Sequence, residues 1–112
     1  MIEAIREQIS VARDFVATST FTVANDKDDE VEAAFLKRPH LVDHAAGFLR
    51  MEVFRNIESP EEFWLVTYWK DEASYESWHH GHAYGASHSG MPKGLKLVKG
   101  SVKVRRMRRI CE

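Results

Sequence analysis

The stretch that decides the fold is residues 48–69, FLRMEVFRNIESPEEFWLVTYW. In its first part, residues 48–55, apolar and charged side chains alternate, which is typical of a strand with one buried face. The apolar face carries Leu49, Met51 and Val53, and the polar face carries Arg50 and Glu52. Turn residues 57–61 lead into residues 63–69, a nearly continuous apolar and aromatic run that predicts a strand buried on both faces. The two segments are predicted to form a β-hairpin.

Another strand precedes this hairpin in the chain. From Phe15 to Val23 the side chains again alternate with a period of two, as in a β-strand. One face carries Phe15, Ala17, Ser19, Phe21 and Val23, and the other carries Thr18, Thr20 and Thr22. The threonines favour this interpretation, because β-branched side chains pack well on a pleated surface.

A helix is predicted between that strand and the hairpin. Residues 25–28, Asn-Asp-Lys-Asp, turn the chain and offer capping side chains. The helix carries Val31, Ala34, Phe35 and Arg38. Pro39 interrupts or kinks it, because proline lacks a backbone N–H, and residues 41–42 prolong it beyond the kink. Gly47 ends the segment before the hairpin.

A second helix and a last strand are predicted after the hairpin. Asp71 is a good N-cap, and Glu72 lies in the first turn, where a negative charge is favourable. Tyr75, Trp78 and His82 follow at helical spacing. Near the end of the chain Val102 and Val104 alternate with Lys103 and Arg105, which indicates a strand.

The predicted order of elements is β-α-β-β-α-β. This is the ferredoxin-like pattern of the α+β class, an antiparallel sheet with its helices on one face. The apolar strand faces indicate that a second subunit covers the other sheet face, giving a homodimeric α+β barrel. Residues 1–14 are predicted to form an additional amphipathic helix, since Ile2, Ile5 and Ile9 fall on one face. The ferredoxin-like domain is then residues 15–112.

Size and charge restrict the classes of partner. The chain has 112 residues, enough for one domain with a single core. Sixteen Lys and Arg against seventeen Asp and Glu give a net charge of -1, so no overall field recruits nucleic acid or anionic lipid. A lone Cys111 and the lack of a long apolar run lead us to expect a cytoplasmic protein without membrane or nucleic-acid partners.

Histidine is the residue type most suited to chemistry in this chain. Four of the six histidines, His79, His80, His82 and His88, lie in the run WHHGHAYGASH that begins at Trp78. A zinc or copper site is one interpretation, but these histidines point in different directions on a helix and no HExxH pattern accompanies them. Solvated side chains on a polar helix face are a second interpretation. An axial ligand for haem iron is the third.

The third interpretation gains weight from a family resemblance. The segment VTYWKD at residues 66–71 is followed by Tyr75, Trp78, Tyr84 and His88. Together with the opening strand and the Gly47-Phe48 step, this pattern resembles the antibiotic biosynthesis monooxygenase superfamily, and in particular its haem-degrading branch, the non-canonical haem oxygenases of bacteria. The resemblance extends from about residue 15 to about residue 104.

The resemblance implies roles for individual residues. It places the axial ligand of the haem iron at His88 and a catalytic tryptophan, which pushes the ring out of plane, at Trp78. The family's distal asparagine falls on Ser19, whose shorter hydroxyl still donates one hydrogen bond. Phe21 is expected to contact the haem, and the further candidates for apolar walls are Phe35, Phe63 and Trp64. Haem would be both cofactor and substrate, consumed with O₂ and an external reductant whose identity stays open.

Purely structural interpretations stand beside these roles. Trp78 next to Tyr75 is also typical of a packed core, and Ser19 of a small packing residue. Trp69 is predicted to belong to the core. The basic tail, Lys103, Arg105, Arg106, Arg108 and Arg109, could contact phosphate or haem propionates, but a solvated strand face explains it without a ligand.

Two other functions fit the same fold, since a fold alone does not fix an activity. The first is a cofactor-independent monooxygenase of the same superfamily that oxidises a quinol or phenol. The second is a non-catalytic module that binds haem or another small molecule.

Overall fold

The computed structural model describes residues 14–81 and 90–112. Its strands are β1 (Phe15–Thr22), β2 (Phe48–Arg55), β3 (Glu62–Trp69) and β4 (Lys103–Arg108), and its helices are α1 (Asp28–Leu36) and α2 (Glu72–His79). A short 3₁₀ helix, Leu41–His44, lies between α1 and β2. The helix predicted for residues 1–14 lies outside the described residues except for Asp14, so it stays a prediction, as does the domain boundary that follows it.

The four strands form one antiparallel sheet in the order β2-β3-β1-β4. This order places β1 in the middle, where Ser19 is paired with Leu65 of β3 and Val104 of β4. Both helices lie where the sequence predicted them, α1 between β1 and β2 and α2 between β3 and β4. The α+β, ferredoxin-like fold is therefore confirmed, whereas the homodimeric barrel stays a prediction. No helix in the described parts of the chain has the length and apolarity required to cross a membrane.

Strand β2 contains a bulge that the sequence pattern did not reveal. Phe48 is paired with Trp69 and Arg50 with the adjacent Tyr68, which leaves Leu49 unpaired between them. The extra residue shifts the alternation by one. Consequently the prediction that Leu49 lies on the buried face is wrong: its side chain is half exposed, and Phe48 packs edge-on against Trp69 instead, with ring centroids 5.4 Å apart. After the bulge, Met51 returns to the expected face.

The core lies between the helices and one face of the sheet, in two clusters of buried side chains. The first cluster contains Phe15, Ala17, Val42, Trp69 and Tyr75, and the second contains Val23, Val31 and Phe63. Trp69 is completely buried, and its indole nitrogen donates a hydrogen bond of 2.8 Å to the Thr67 hydroxyl. A satisfied indole in an aromatic cluster has the structural role predicted for Trp69.

The other sheet face is open in the single chain. Trp64 is 40% exposed and Phe54 is 52% exposed, and the Arg50 guanidinium lies 4.0 Å from the centre of the Tyr68 ring. The prediction that β3 is buried on both faces is therefore wrong for one chain, because the side chains that are fully covered on this strand, Phe63 and Trp69, both point to the helices.

The predicted capping cluster has a different role from the one expected. Helix α1 begins after Lys27, which makes no side-chain capping bond. The Asn25 side chain instead donates to the Gly94 carbonyl (2.9 Å) and accepts from the Lys96 backbone N–H (3.3 Å). The end of β1 is thereby attached to the segment that returns toward β4. At its other end α1 finishes at Leu36, before the proline.

Substitution of two glycines with similar backbone conformations tests how closely α2 packs against the residue that precedes β2. Gly47 and Gly100 have φ values of +80° and +78°, a region that costs other residues about 1–2 kcal/mol. A β carbon at Gly47 would overlap the Ser74 side chain, whereas one at Gly100 meets nothing within 4 Å. Gly47→Ala is expected to lower the free energy of unfolding by about 2–4 kcal/mol, and Gly100→Ala by about 1–2 kcal/mol. Urea denaturation measures both, and equal losses would contradict the close packing.

Candidate functional site

A cavity of about 120 Å³ lies between the helix-facing side of the sheet, α1 and α2. The sheet contributes Ala17, Ser19, Met51, Leu65, Thr67 and Val104 to its lining. Phe35 and Leu41 form part of one wall, and Trp78 forms part of another. Most of these side chains are apolar, so the cavity suits an apolar ligand with a few polar substituents.

Ser19 and Trp78, to which the resemblance assigns separate roles at the haem, both line this cavity. Ser19 reaches it from β1, one of the two central strands, and is partly buried. In the described part of the chain no group is hydrogen-bonded to the Ser19 hydroxyl, which leaves this hydroxyl able to donate to or accept from a ligand. The structure thus brings together two of the three residues for which the resemblance implies a role at the haem.

The position of Trp78 follows from how α2 begins and packs. The Asp71 carboxylate caps the helix by accepting from the backbone N–H of Ser74 at 2.8 Å. One turn later Tyr75 is buried with its ring centre 5.3 Å from that of Phe15 and 5.8 Å from that of Trp69. Trp78 follows at three residues' spacing and therefore lies near the same side of the helix, toward the cavity.

An ion-pair group holds α2 against the edge strand. Arg106 of β4 pairs with Glu72 at 3.1 Å and with Glu76. Its guanidinium carbon lies 5.9 Å from the centre of the Tyr75 ring. At least this member of the basic tail is therefore engaged in packing and ion pairing within the chain.

The predicted aromatic walls are only partly present at the cavity. Phe35 lines it, whereas Phe21 stacks on Phe63 with ring centroids 5.5 Å apart, in the second core cluster. Trp64 lies on the opposite, open face of the sheet, so its prediction as a wall is wrong. Packing against Phe63 accounts for the partial burial of Phe21, and its contact with a haem stays a prediction.

The proposed iron ligand, His88, lies outside the described residues, as do His82 and Tyr84. Of the histidines before them, His79 stacks on Tyr75, and His80 is exposed with its Nε2 3.1 Å from the Glu76 carboxylate. Within residues 14–81 and 90–112, no three His, Cys, Asp or Glu side chains are placed to hold a metal ion. The zinc or copper interpretation has no support in this part of the chain.

The rim of the cavity carries a polar group that the sequence analysis missed. Arg38 and His40 both line the cavity, and both bind the carboxylate of Asp43. Arg38 Nη1 lies 3.0 Å from one oxygen, and His40 Nδ1 lies 3.1 Å from the other. Burial acts to raise the pKa of Asp43, but the hydrogen bonds and positive charge of these partners hold it below its ordinary value. The only sequence signal was the Arg-Pro-His triplet directly after a helix.

Comparison with known proteins identifies a matching family model and similar curated proteins. Residues 14–90 match the family model described as antibiotic biosynthesis monooxygenase. A haem oxygenase (mycobilin-producing) of Mycobacterium tuberculosis is 33% identical over 61 residues, which are 54% of this chain and 57% of that protein. The chain thus spans just over half the length of the curated relatives that it matches.

Solved structures of low sequence identity share the fold. A haem degrader from Mycobacterium tuberculosis, solved with two haems bound in its active site, has a TM-score of 0.70 at 22% identity; the match covers 88% of this chain and 97% of that one. A cofactor-independent oxygenase from Streptomyces nogalater has a TM-score of 0.67 at 14% identity; the match covers 85% of this chain and 91% of that one.

The Asp71 cap predicts a pH-dependent contribution to stability. The Ser74 hydroxyl and backbone N–H donate to the Asp71 carboxylate and lower its pKa in the folded protein. The stabilising contribution is therefore fully present above the unfolded pKa of about 4 and is lost as the pH falls through the lower folded value. We expect Asp71→Ala to be less stable than the wild type at pH 7, with the difference shrinking below pH 4.

Urea unfolding midpoints from pH 7 to pH 2 measure this difference. Asp26→Ala is the control, because Asp26 is exposed and caps no helix. A gap between the wild type and Asp71→Ala that stays constant down to pH 2 would show that the cap does not depend on the charge.

Proposed function

The chain belongs to the antibiotic biosynthesis monooxygenase family, and from this premise we propose that it is an oxygenase that degrades haem bound between the sheet and α2. The observation that supports the proposal most is the convergence of Ser19 and Trp78 on one apolar cavity. The 33% identity to a mycobacterial haem oxygenase supports the choice of haem among the substrates of the family.

The side chains that line the cavity suit a haem, whereas the volume of the cavity is small for one. Apolar walls, an available hydroxyl at Ser19 and a large aromatic side chain at Trp78 suit an apolar ring with a polar centre. Sites for small ligands usually measure about 300–1,000 Å³, and this cavity measures about 120 Å³. The proposal therefore requires the walls to separate, or the ring to project through the mouth.

Each proposed residue has a separate task. In this proposal the imidazole of His88 would hold the haem iron, the Ser19 hydroxyl would donate a hydrogen bond to a polar atom of the bound ligand, and the Trp78 indole would press on the ring. Haem supplies the redox chemistry, since its reduced iron activates O₂ for oxidation of a carbon of the same ring. The reaction consumes O₂ and an external reductant and releases iron.

A second subunit is part of the proposal. Trp64 and Phe54 are large apolar side chains exposed on the open sheet face, and side chains of this kind commonly mark a protein contact surface. We propose that two copies pack these faces together to form the homodimeric α+β barrel, with one haem cavity on the outer, helix-covered side of each sheet.

Hemin titration of the apoprotein tests the binding proposal. We expect a Soret band that saturates at about one haem per chain, and a weaker or missing band for His88→Ala, because the iron loses its protein ligand. His80→Ala is the matched control, since His80 is exposed and bound to Glu76. Equal affinity of the wild type and His88→Ala would contradict the axial assignment.

Turnover of the haem complex tests the roles of Ser19 and Trp78. With O₂, ascorbate and catalase present, the Soret band of the wild type is expected to disappear. We expect Ser19→Ala to slow this loss about tenfold, the effect of one lost hydrogen bond in the transition state, and Trp78→Ala to slow it as well. Ser77→Ala, at an exposed position of α2, serves as the control. Unchanged rates in both site variants would remove them from the mechanism.

A cofactor-independent monooxygenase is the second candidate function. The cavity volume of about 120 Å³ favours it, because a quinol or phenol is much smaller than a haem ring. Uptake of O₂ with such a substrate, in a protein that gives no Soret band with hemin, would select this alternative. A haem complex that stays intact under O₂ and reductant would instead indicate a non-catalytic haem-binding module.

A further inference from the structure

Tyr75 brings to the cavity a hydroxyl group that packing does not require. The residue is 7% exposed and lines the cavity, and its ring packs against those of Phe15 and Trp69. These contacts are made by ring faces and edges, so a phenylalanine would pack in the same way. A buried hydroxyl costs free energy unless it is hydrogen-bonded. The hydroxyl of Tyr75 therefore points to a role other than packing.

His79 is the hydrogen-bond partner of this hydroxyl. It lies one helical turn after Tyr75, with its Nδ1 3.4 Å from the tyrosine oxygen, and the two rings stack with their centres 5.4 Å apart. His79 is more exposed than Tyr75, and its ring meets edge-on that of His80, which is exposed. The pair thus leads from the cavity along α2 toward the protein surface.

The chemistry of the two side chains suits the transfer of a proton. A neutral imidazole donates from one ring nitrogen and accepts at the other, and its tautomer decides which nitrogen does which. Nδ1 of His79 can therefore donate to the Tyr75 oxygen before a transfer and accept from the hydroxyl after it, without movement of either ring. Histidine is also the side chain that most readily gains and loses a proton near neutral pH.

The other polar side chains at the cavity are less suited to this task. The Thr67 hydroxyl donates to a backbone carbonyl at 3.4 Å and accepts from the Trp69 indole at 2.8 Å. The Arg38 guanidinium does not release a proton at ordinary pH. In the described part of the chain no titratable group is hydrogen-bonded to the Ser19 hydroxyl, so nothing there would replace a proton that it gave up. His40 lies at the exposed rim, bound to a carboxylate.

The charges around Tyr75 are compatible with transient loss of its proton. The Arg106 guanidinium carbon of β4 lies 5.9 Å from the centre of the Tyr75 ring. A cation at this distance favours the anionic form of a phenol. Arg106 is paired with Glu72 and Glu76, and Glu76 also binds His80, so these carboxylates moderate the effect.

We propose that Tyr75 donates a proton to an oxygen atom of the ligand in the cavity, and that His79 orients the Tyr75 hydroxyl and restores its proton. The inference rests on the proposed function, because an oxygenase has to protonate the oxygen atom that does not enter the product. Tyr75 is thus a catalytic residue that acts as a general acid, and His79 is a positioning residue that acts through it.

The proton transfer balances with the reductant already named. Each monooxygenation consumes O₂, two electrons from the external reductant and two protons; one oxygen atom enters the substrate and the other leaves as water. The O–H bond of Tyr75 breaks as an O–H bond to the departing oxygen forms. Nδ1–H of His79 then returns a proton to the Tyr75 oxygen, and the other ring nitrogen takes up a proton from solvent. A second passage delivers the second proton.

Fluoride binding to the ferric hemin complex tests the hydroxyl without turnover. Iron-bound fluoride accepts hydrogen bonds, so a donor within reach raises its affinity. We expect Tyr75→Phe, which keeps the ring and its packing, to bind fluoride about tenfold more weakly than the wild type. Tyr68→Phe is the matched control and should equal the wild type, because Tyr68 contacts Arg50 on the open sheet face and does not line the cavity.

Two substitutions of His79 separate orientation from proton transfer. His79→Gln keeps an N–H donor for the Tyr75 oxygen but does not pass on a proton. We expect its fluoride affinity to stay within about a factor of three of the wild type, and its loss of the Soret band under O₂ and ascorbate to be about tenfold slower. His79→Leu should lose both. Turnover of His79→Gln at the wild-type rate would overturn the relay.

A metal-free phenol separates this inference from the haem proposal. 4-Nitrophenol absorbs differently once ionised, and a donated hydrogen bond stabilises its anion. We expect the bound phenol to ionise about tenfold more readily in the wild type than in Tyr75→Phe. If hemin gives no Soret band and this difference is observed, the haem function fails and the hydroxyl donor stands. Wild-type behaviour of Tyr75→Phe with either probe that binds overturns the inference.

Discussion

The packing of the Trp69 side chain in the core is the interaction on which the rest of the structure depends. Trp69 is the last residue of β3 and is completely buried. It packs in one cluster with Phe15 of β1, and its ring contacts those of Phe48 at the start of β2 and Tyr75 of α2. Aromatic side chains bury more apolar surface than other residues and dominate the energetics of a core, so a fully buried tryptophan contributes strongly to the stability of a small domain. The same cluster fixes α2 to the sheet and so places Trp78.

The cavity is a consequence of where large and small side chains fall along the two central strands. On β1 the helix-facing positions run from Phe15 through Ala17 and Ser19 to Phe21, and on β3 the paired positions run from Trp69 through Thr67 and Leu65 to Phe63. Large rings therefore lie at both ends, where they form the two core clusters. Smaller side chains lie in the middle, and the space above them is the cavity.

Periodicity predicted the parts of the fold that depend on regular repeats. The ferredoxin-like order, the limits of β2 at Phe48 and Arg55, and the Asp71 cap all follow from local pattern and side-chain chemistry. The bulge at Leu49 was missed, because an inserted residue shifts the alternation without leaving a mark in the composition.

The errors about burial and the rim have a different cause. Alternation cannot say whether an apolar residue such as Trp64 is covered, since that depends on whether a second sheet or subunit is present. The rim was missed because Arg38, His40 and Asp43 come together through an irregular connection, where no period relates one residue to the next. The meeting of Ser19 and Trp78 was expected from the family resemblance, and residue spacing alone did not imply it.

The ion pairs of Arg55 make the two ends of α1 unequal in how firmly they are attached. At its beginning, three acidic side chains are fastened to the β2–β3 hairpin through one guanidinium. At its far end the last turn holds no basic residue, and the chain soon meets Pro39. Phe35 lies near that weaker end. If the cavity widens for a larger ligand, α1 would therefore turn about its Arg55 ion pairs, and its C-terminal end, which carries Phe35, would move farthest.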